Sequence, residues 1–265
     1  MTPAALPRLR VVREGALARV LIDNAAKRNA FDLAMWRELP ELIGGLDADA
    51  GVRVIILSGA PGLPFCSGAD ISEFSTVRAS AEGGRDYEAA NEAAFDALAR
   101  SPKPVIAAIR GFCIGGGMGL AAACDLRVAA EGTQFAIPAA RLGLGYPPAA
   151  MAYTVAAVGA QAARDLFFTA RRIDATEAMA LGFLARLVPP GALDDEVTAL
   201  ARAIADNAPL TIAAAKAAIA RAAGLPAAVG AGEAERIAAA SFDSADYAEG
   251  RQAFLEKRAP RFLGR

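Results

Sequence analysis

The 265-residue chain contains no histidine. That absence removes Ser-His-Asp and Cys-His nucleophile chemistry and nearly all catalytic zinc sites, which use an imidazole as base or ligand. Cysteine is scarce: Cys66, Cys113 and Cys124 are odd in number and lack metal-ligand spacing. They read as small buried hydrophobes in a reducing cytosol. Neither sign of charge is in excess, since 28 Lys and Arg face 29 Asp and Glu. That balance argues against a nucleic-acid surface. The longest apolar run, Phe112 to Cys124, is too short and too rich in glycine to cross a membrane. Met1 to Glu14 carries scattered arginines and no apolar core of the secretory type. A soluble, cytoplasmic protein is expected, with no metal and no nucleic-acid or membrane partner.

What the chain has is apolar surface, with 55% hydrophobic residues. Its length allows one large domain or a domain with an appendage, and a sizeable core. Short β-branched runs at 16–22, 52–57, 105–109, 125–129, 134–137 and 183–188 read as strands. Helices are expected over 33–46, capped by Asp32, and over 87–100, 149–158 and 161–169. Asp174 caps a further helix running to Leu181. Residues 75–84 are small and polar and read as a mobile segment, and 138–148 show only turn signals. From about residue 200 the pattern is helical, with a loop over 222–232. Alternation of strands and helices argues for α/β with right-handed crossovers.

The stretch from Lys103 to Arg127 organises the rest. Val105 to Ile109 is a buried strand, Gly115 to Gly117 a glycine turn, and Met118 to Ala123 a helix. The first amides of a helix lack internal partners and carry the positive end of its dipole, so such a turn can hold a negative oxygen. That oxygen can belong to a phosphate or to an oxyanion; a third use is a tight packing turn. Gly117-Met-Gly119-Leu-Ala-Ala122 fits a loose dinucleotide fingerprint, but no clear acidic partner follows and there is no Walker A motif.

Upstream, Pro64-Phe-Cys-Ser-Gly-Ala-Asp-Ile-Ser-Glu-Phe74 follows an apolar run. Together with Lys103 to Leu126 it resembles the paired signature of the enoyl-CoA hydratase/isomerase (crotonase) superfamily. The resemblance extends to Lys27-Arg-Asn-Ala-Phe31 and to Phe254-Leu-Glu-Lys-Arg258, and so spans nearly the whole chain. It implies a ββα spiral acyl-CoA-binding core over residues 1–200 and a C-terminal helical region over 201–265 that builds trimers or dimers of trimers. It implies an acyl-CoA thioester substrate and no separate cofactor, coenzyme A being part of the substrate.

In the family the thioester carbonyl sits between two backbone amides, matching Ala69 and Gly116 here. The resemblance places Lys27, Arg28, Ala30, Ser67, Asp70, Ile71, Ile114, Gly115 and Pro138 along the CoA and acyl chain. Phe254 and Lys257 match positions that reach the CoA of a neighbouring subunit. The chain departs from the family's hydratases at both general acid/base glutamates: Gly119 and Ala139 stand in their places. A carboxylate used by some family isomerases would fall near Pro147. Tyr146, in Arg141-Leu-Gly-Leu-Gly-Tyr-Pro147, resembles a tyrosine of the family's methylmalonyl-CoA decarboxylases, although those carry histidine where this chain has Ala69. The resemblance therefore implies an atypical acyl-CoA lyase, with decarboxylation as the sharper expectation. Hydration by an unusual base (Glu73, Asp86, Glu88 or Glu92) and a silent CoA-binding subunit are the rivals.

Overall fold

The computed structural model describes residues 8–226 and 228–265. β1 (Arg8–Glu14) and β2 (Leu17–Asp23) form an antiparallel hairpin. From β2 onward one pattern recurs four times: a buried strand, a short extended segment, then a helix. The first turn is β2, Phe31 and α1 (Leu33–Ala48). The second is β3 (Val54–Gly59), the segment around Cys66 and Ala69, and α2 (Ala81–Arg100). The third is β4 (Val105–Ile109), β5 (Phe112–Ile114) and α3 (Gly116–Ala123). The fourth is β6 (Leu126–Ala130), β7 (Gln134–Ala136) and α4 (Pro148–Thr169).

The buried strands β2, β3, β4 and β6 pair in parallel. The short segments form their own parallel row, Phe31 with Ala69, Cys66 with Cys113, and β5 with β7. β8 (Arg172–Asp174) joins that row antiparallel to β7. After α5 (Ala175–Ala180), β9 (Arg186–Val188) closes the large sheet beside β6. Two rows of parallel pairing advancing together make the ββα spiral.

The large sheet is buried on both faces, which explains its unbroken apolar runs. Ile55, Leu57, Val105, Ala107 and Ile109 face the core shared with α1, α2 and α3. Their alternates Val54, Ile56, Ile106 and Ala108 face α6 (Leu193–Ala205), which presents Leu193, Val197, Ala201 and Ala205 along one stripe. The boundary expected at residue 200 falls inside this helix. Beyond it lie α7 (Pro209–Ala222), α8 (Ala231–Phe242) and α9 (Ala245–Glu256).

Several boundaries differ from the sequence expectation. β1, β5 and β8 carry no strand signal of their own, because two are three residues long and β1 is rich in arginine. The two helices expected over 149–158 and 161–169 are present as α4, whose two parts meet at a break at Gly159, where φ is +76°. The segment expected to be mobile is half helix: Ser80 accepts from the Gly83 amide at 3.0 Å, and α2 begins at Ala81. No helix among the described residues is long and apolar enough to cross a membrane.

The charged ends of the organising stretch are braces. Lys103 donates to the Leu46 and Asp49 carbonyls, both at 2.6 Å, and so satisfies the C-terminal end of α1. Asp125 accepts from the Val105 amide at 2.7 Å and from Lys216 of α7 at 2.8 Å. Lys216 is largely buried and also donates to the Lys103 carbonyl. Asp125→Ala leaves that ammonium without its counter-charge and frees the start of β4. A loss of about 2 kcal/mol is expected, since hydrogen bonds to charged groups contribute roughly 1.5–3 kcal/mol. Urea denaturation of the variant checks it.

Candidate active site

The short segments bring the second and third turns of the spiral edge to edge. Phe31 donates its amide to the Gly68 carbonyl at 2.8 Å, and the Asp70 amide donates to the Phe31 carbonyl at 2.7 Å. In that parallel pattern the amide of the intervening Ala69 points away from Phe31. Cys66 is pinned from the other side: its amide donates to Phe112 at 2.9 Å and its carbonyl accepts from Ile114 at 3.0 Å. The chain then reverses at Gly115, where φ is +54° and ψ −117°, a conformation that strongly favours glycine. The Gly115 amide donates to Ala136 of β7, and Gly116 opens α3 with an amide that has no intrahelical acceptor.

A Cβ built on Gly116 would lie 4.0 Å from the Ala69 nitrogen, so the two amides are neighbours. Neither has an acceptor among the described residues. Two adjacent, fixed N–H groups can share one anionic oxygen and stabilise it as charge develops. They border a cavity of about 100 Å³ whose wall includes Ala69, Gly116, Arg78 and Tyr146.

Aromatic rings support the glycine helix from beneath. Trp36 packs at 4.5 Å from Phe31 and edge-on to Phe95, ring centroids 5.8 Å apart. Its indole N–H donates to the Tyr87 hydroxyl at 3.0 Å, which donates to the Phe31 carbonyl at 3.1 Å. Gly116 and Gly119, three apart on one helix face, meet these rings: a Cβ on the first would lie 2.9 Å from Trp36, and on the second 2.5 Å from Phe95. The place where a side chain would leave residue 119 is therefore already filled.

Among the residues expected at the site, Ser67, Ala69, Ile71, Ile114, Gly115, Gly116, Pro138 and Tyr146 line the one cavity. Asp70 does not. Its carboxylate accepts from the Ser72 amide and hydroxyl, at 2.9 and 2.7 Å, and meets Lys27 at 3.5 Å. Burial would raise its pKa, but Ser72 and Lys27 hold it below the ordinary value. Ala30 is buried in the turn beside it. Arg28 lies 5.9 Å from the Phe112 ring centroid. Phe254 and Lys257 stand apart on α9 and at its end, with Phe254 82% exposed.

Tyr146 packs edge-on to Phe167 with centroids 5.0 Å apart, and its hydroxyl is buried without a hydrogen-bond partner among the described residues. Burial pushes its pKa far up, and the nearby Glu88 adds to the effect, so it remains a neutral donor. Burial likewise pushes the Cys66 and Cys124 thiols up to about 12, which leaves almost no thiolate at neutral pH. Glu73 is committed elsewhere, accepting from the Leu33 amide at the start of α1 at 2.9 Å.

Sequence reading missed Arg78. Its side chain is 8% exposed, paired with Glu88, and held between the rings of Phe74 and Tyr87 at 4.7 and 4.6 Å. The available signal was Phe74 four residues before an arginine, directly after the Gly-Ala-Asp segment.

Comparison with known proteins agrees with this architecture. The family model described as enoyl-CoA hydratase/isomerase matches residues 13–265. A short-chain-enoyl-CoA hydratase of Clostridium acetobutylicum is 35% identical, with 79% of each chain covered. A peroxisomal Delta(3,5)-Delta(2,4)-dienoyl-CoA isomerase of Arabidopsis thaliana is 32% identical, with 99% of each covered. Among solved structures, an enoyl-CoA hydratase/carnithine racemase from Magnetospirillum magneticum superposes with a TM-score of 0.91 at 39% identity, covering 97% of this chain and 96% of that one. The matches span the spiral, the glycine helix and the C-terminal helices alike, and the chain belongs to the enoyl-CoA hydratase/isomerase family, in the crotonase superfamily.

Proposed function

We propose that the cavity carries out enolate chemistry on an acyl-CoA thioester, and that decarboxylation of a malonyl-type thioester is the reaction its residues fit best. One observation carries this: two free amides meet at a cavity wall where neither hydratase carboxylate exists. Gly119 and Ala139 occupy those positions, and Phe95 fills the space beside the first. Adding water needs a group that positions it and moves a proton. Loss of carbon dioxide needs no base.

In that reaction the bond between the α-carbon and the carboxylate breaks. Its electron pair moves into the thioester as an enolate, with the negative oxygen between the Ala69 and Gly116 amides, and carbon dioxide leaves. The α-carbon then takes a proton delivered from solvent past the Tyr146 hydroxyl, giving the shorter acyl-CoA. The amides act most strongly on the charge that develops in the transition state, and one such donor contributes roughly 3 kcal/mol.

Hydration by an unusual carboxylate is the second reading, favoured by the half-buried Glu88, whose pKa burial raises and Arg78 partly offsets. Lys27 and Arg28 are read as contacts for the CoA phosphates. Phe254 and Lys257 are read as contacts with the CoA of a second copy of this chain in a trimer or a dimer of trimers.

The test is mass spectrometry of acyl-CoA products. The purified protein is incubated with crotonyl-CoA, longer enoyl-CoAs, methylmalonyl-CoA and ethylmalonyl-CoA. A product lighter by carbon dioxide is expected from a malonyl-type thioester. A product heavier by water from an enoyl-CoA replaces this reading with the second. Binding without turnover would reduce the chain to a silent CoA-binding subunit.

A further inference from the structure

The cavity wall is almost entirely backbone and hydrocarbon. Ser67 borders it, but its hydroxyl donates to the Lys27 carbonyl at 3.0 Å. Two other lining residues carry polar side chains, Arg78 and Tyr146. The Tyr146 hydroxyl is buried without a hydrogen-bond partner among the described residues. Arg78 has one acceptor among the described residues, Glu88, for its five N–H donors. The rings of Phe74 and Tyr87 hold its plane, and Tyr87 is itself fixed by Trp36 and Phe31. This is a preorganised fork, since little freedom remains to be lost when it binds.

A hydrocarbon acyl chain entering here would offer no acceptor to the Tyr146 hydroxyl or to the Arg78 donors that Glu88 does not use, which is costly. A carboxylate accepts from both and forms charge-assisted hydrogen bonds. We infer that Arg78, with the Tyr146 hydroxyl, selects acyl groups that carry a second carboxylate, the half-thioesters of dicarboxylic acids. The inference rests on the cavity being the acyl-CoA site and adds the residues that recognise the substrate class. Glu88 has a defined part in it. By sharing the guanidinium it limits how tightly the carboxylate is held, so that ground-state binding does not hold back its loss.

Binding can be measured apart from reaction with two acyl groups of equal chain length, succinyl-CoA and butyryl-CoA. The carboxylate of the first is not on the α-carbon, so its loss would leave no enolate. Calorimetry of the full chain is expected to show succinyl-CoA binding about tenfold tighter, the order set by hydrogen bonds to a charged group. Arg78→Met removes the preference. Tyr146→Phe deletes one unpartnered oxygen, keeps the fold, and lowers the preference about threefold, as a single modest hydrogen bond requires. Absence of a preference in the natural protein overturns the inference. So does a preference that survives Arg78→Met or is untouched by Tyr146→Phe. Should Arg78→Met lower the unfolding temperature, the Tyr146→Phe ratio decides alone. Failure of malonyl-type thioesters to lose carbon dioxide would sink the proposed reaction and leave this selectivity standing.

Discussion

Gly117→Ala is expected to cost about 2–3 kcal/mol of stability, the scale of overpacking a close-packed core. A Cβ at that position would lie 2.6 Å from the Cys66 carbonyl oxygen and 2.8 Å from the Cys66 Cβ. Neither atom can yield cheaply, because Cys66 is tied to Phe112 through its amide and to Ile114 through its carbonyl. The helix must move instead, and Gly116 moves with it. Displacing a reacting-site group by about 1 Å can cost on the order of 100-fold in rate. A fall of that order in kcat is expected for whichever thioester the chain turns over. Gly84→Ala is the control: nothing lies within 4 Å of its Cβ, and it should be neutral or slightly stabilising. Urea denaturation and steady-state turnover of the two variants make the comparison. Full stability and rate in Gly117→Ala would show that the glycine helix is not held in the way described.

Gly119→Glu is expected to yield no strong enoyl-CoA hydration, and to lose about 3 kcal/mol, near the upper end for a single substitution. The incoming Cβ would meet Phe95 at 2.5 Å, and that ring is 2% exposed and packed edge-on against Trp36. The new carboxylate would sit against an aromatic wall, and Ala139 offers no second carboxylate to complete the pair. The two effects separate in a double-mutant cycle with Phe95→Ala. Removing the ring costs stability by leaving a cavity, but it also opens the space the introduced side chain needs. The double variant should therefore be more stable than the sum of the singles allows, by about 1 kcal/mol or more. Crotonyl-CoA hydration and urea midpoints are the readouts. A large gain of hydration from Gly119→Glu alone would refute the requirement for two carboxylates.

The main strands were legible because they are buried on both faces. A strand such as Val54–Gly59 must be apolar at nearly every position, and it stands out from any single sequence. The short row was not legible. β5 is three residues inside a glycine-rich turn, and Phe31 and Ala69 share a single bridge, so no periodicity can accumulate. The positions of Ala69, Gly116 and Tyr146 came from resemblance, since a backbone amide leaves no trace in residue type. Arg78 was hidden for a different reason. It lies in a small, polar stretch that looks solvated, and only the folding of Phe74 and Tyr87 around it takes it out of water. Phe95 was read as part of an ordinary helix; its role against Gly119 depends on a contact between elements far apart in the chain.

The proposed hole has a consequence for how mutational surveys of this protein would read. Its two donors are main-chain amides, at Ala69 and Gly116. An alanine scan would pass over the first in silence, because the residue is already alanine. At the second it would report crowding against Trp36 and so look like a packing defect. Many of the side chains such a survey would flag, Trp36, Tyr87 and Cys66 among them, would be scaffolding. The two oxyanion donors themselves would go unseen, and only replacing an amide by an ester linkage, which deletes a single N–H, would bring them into view.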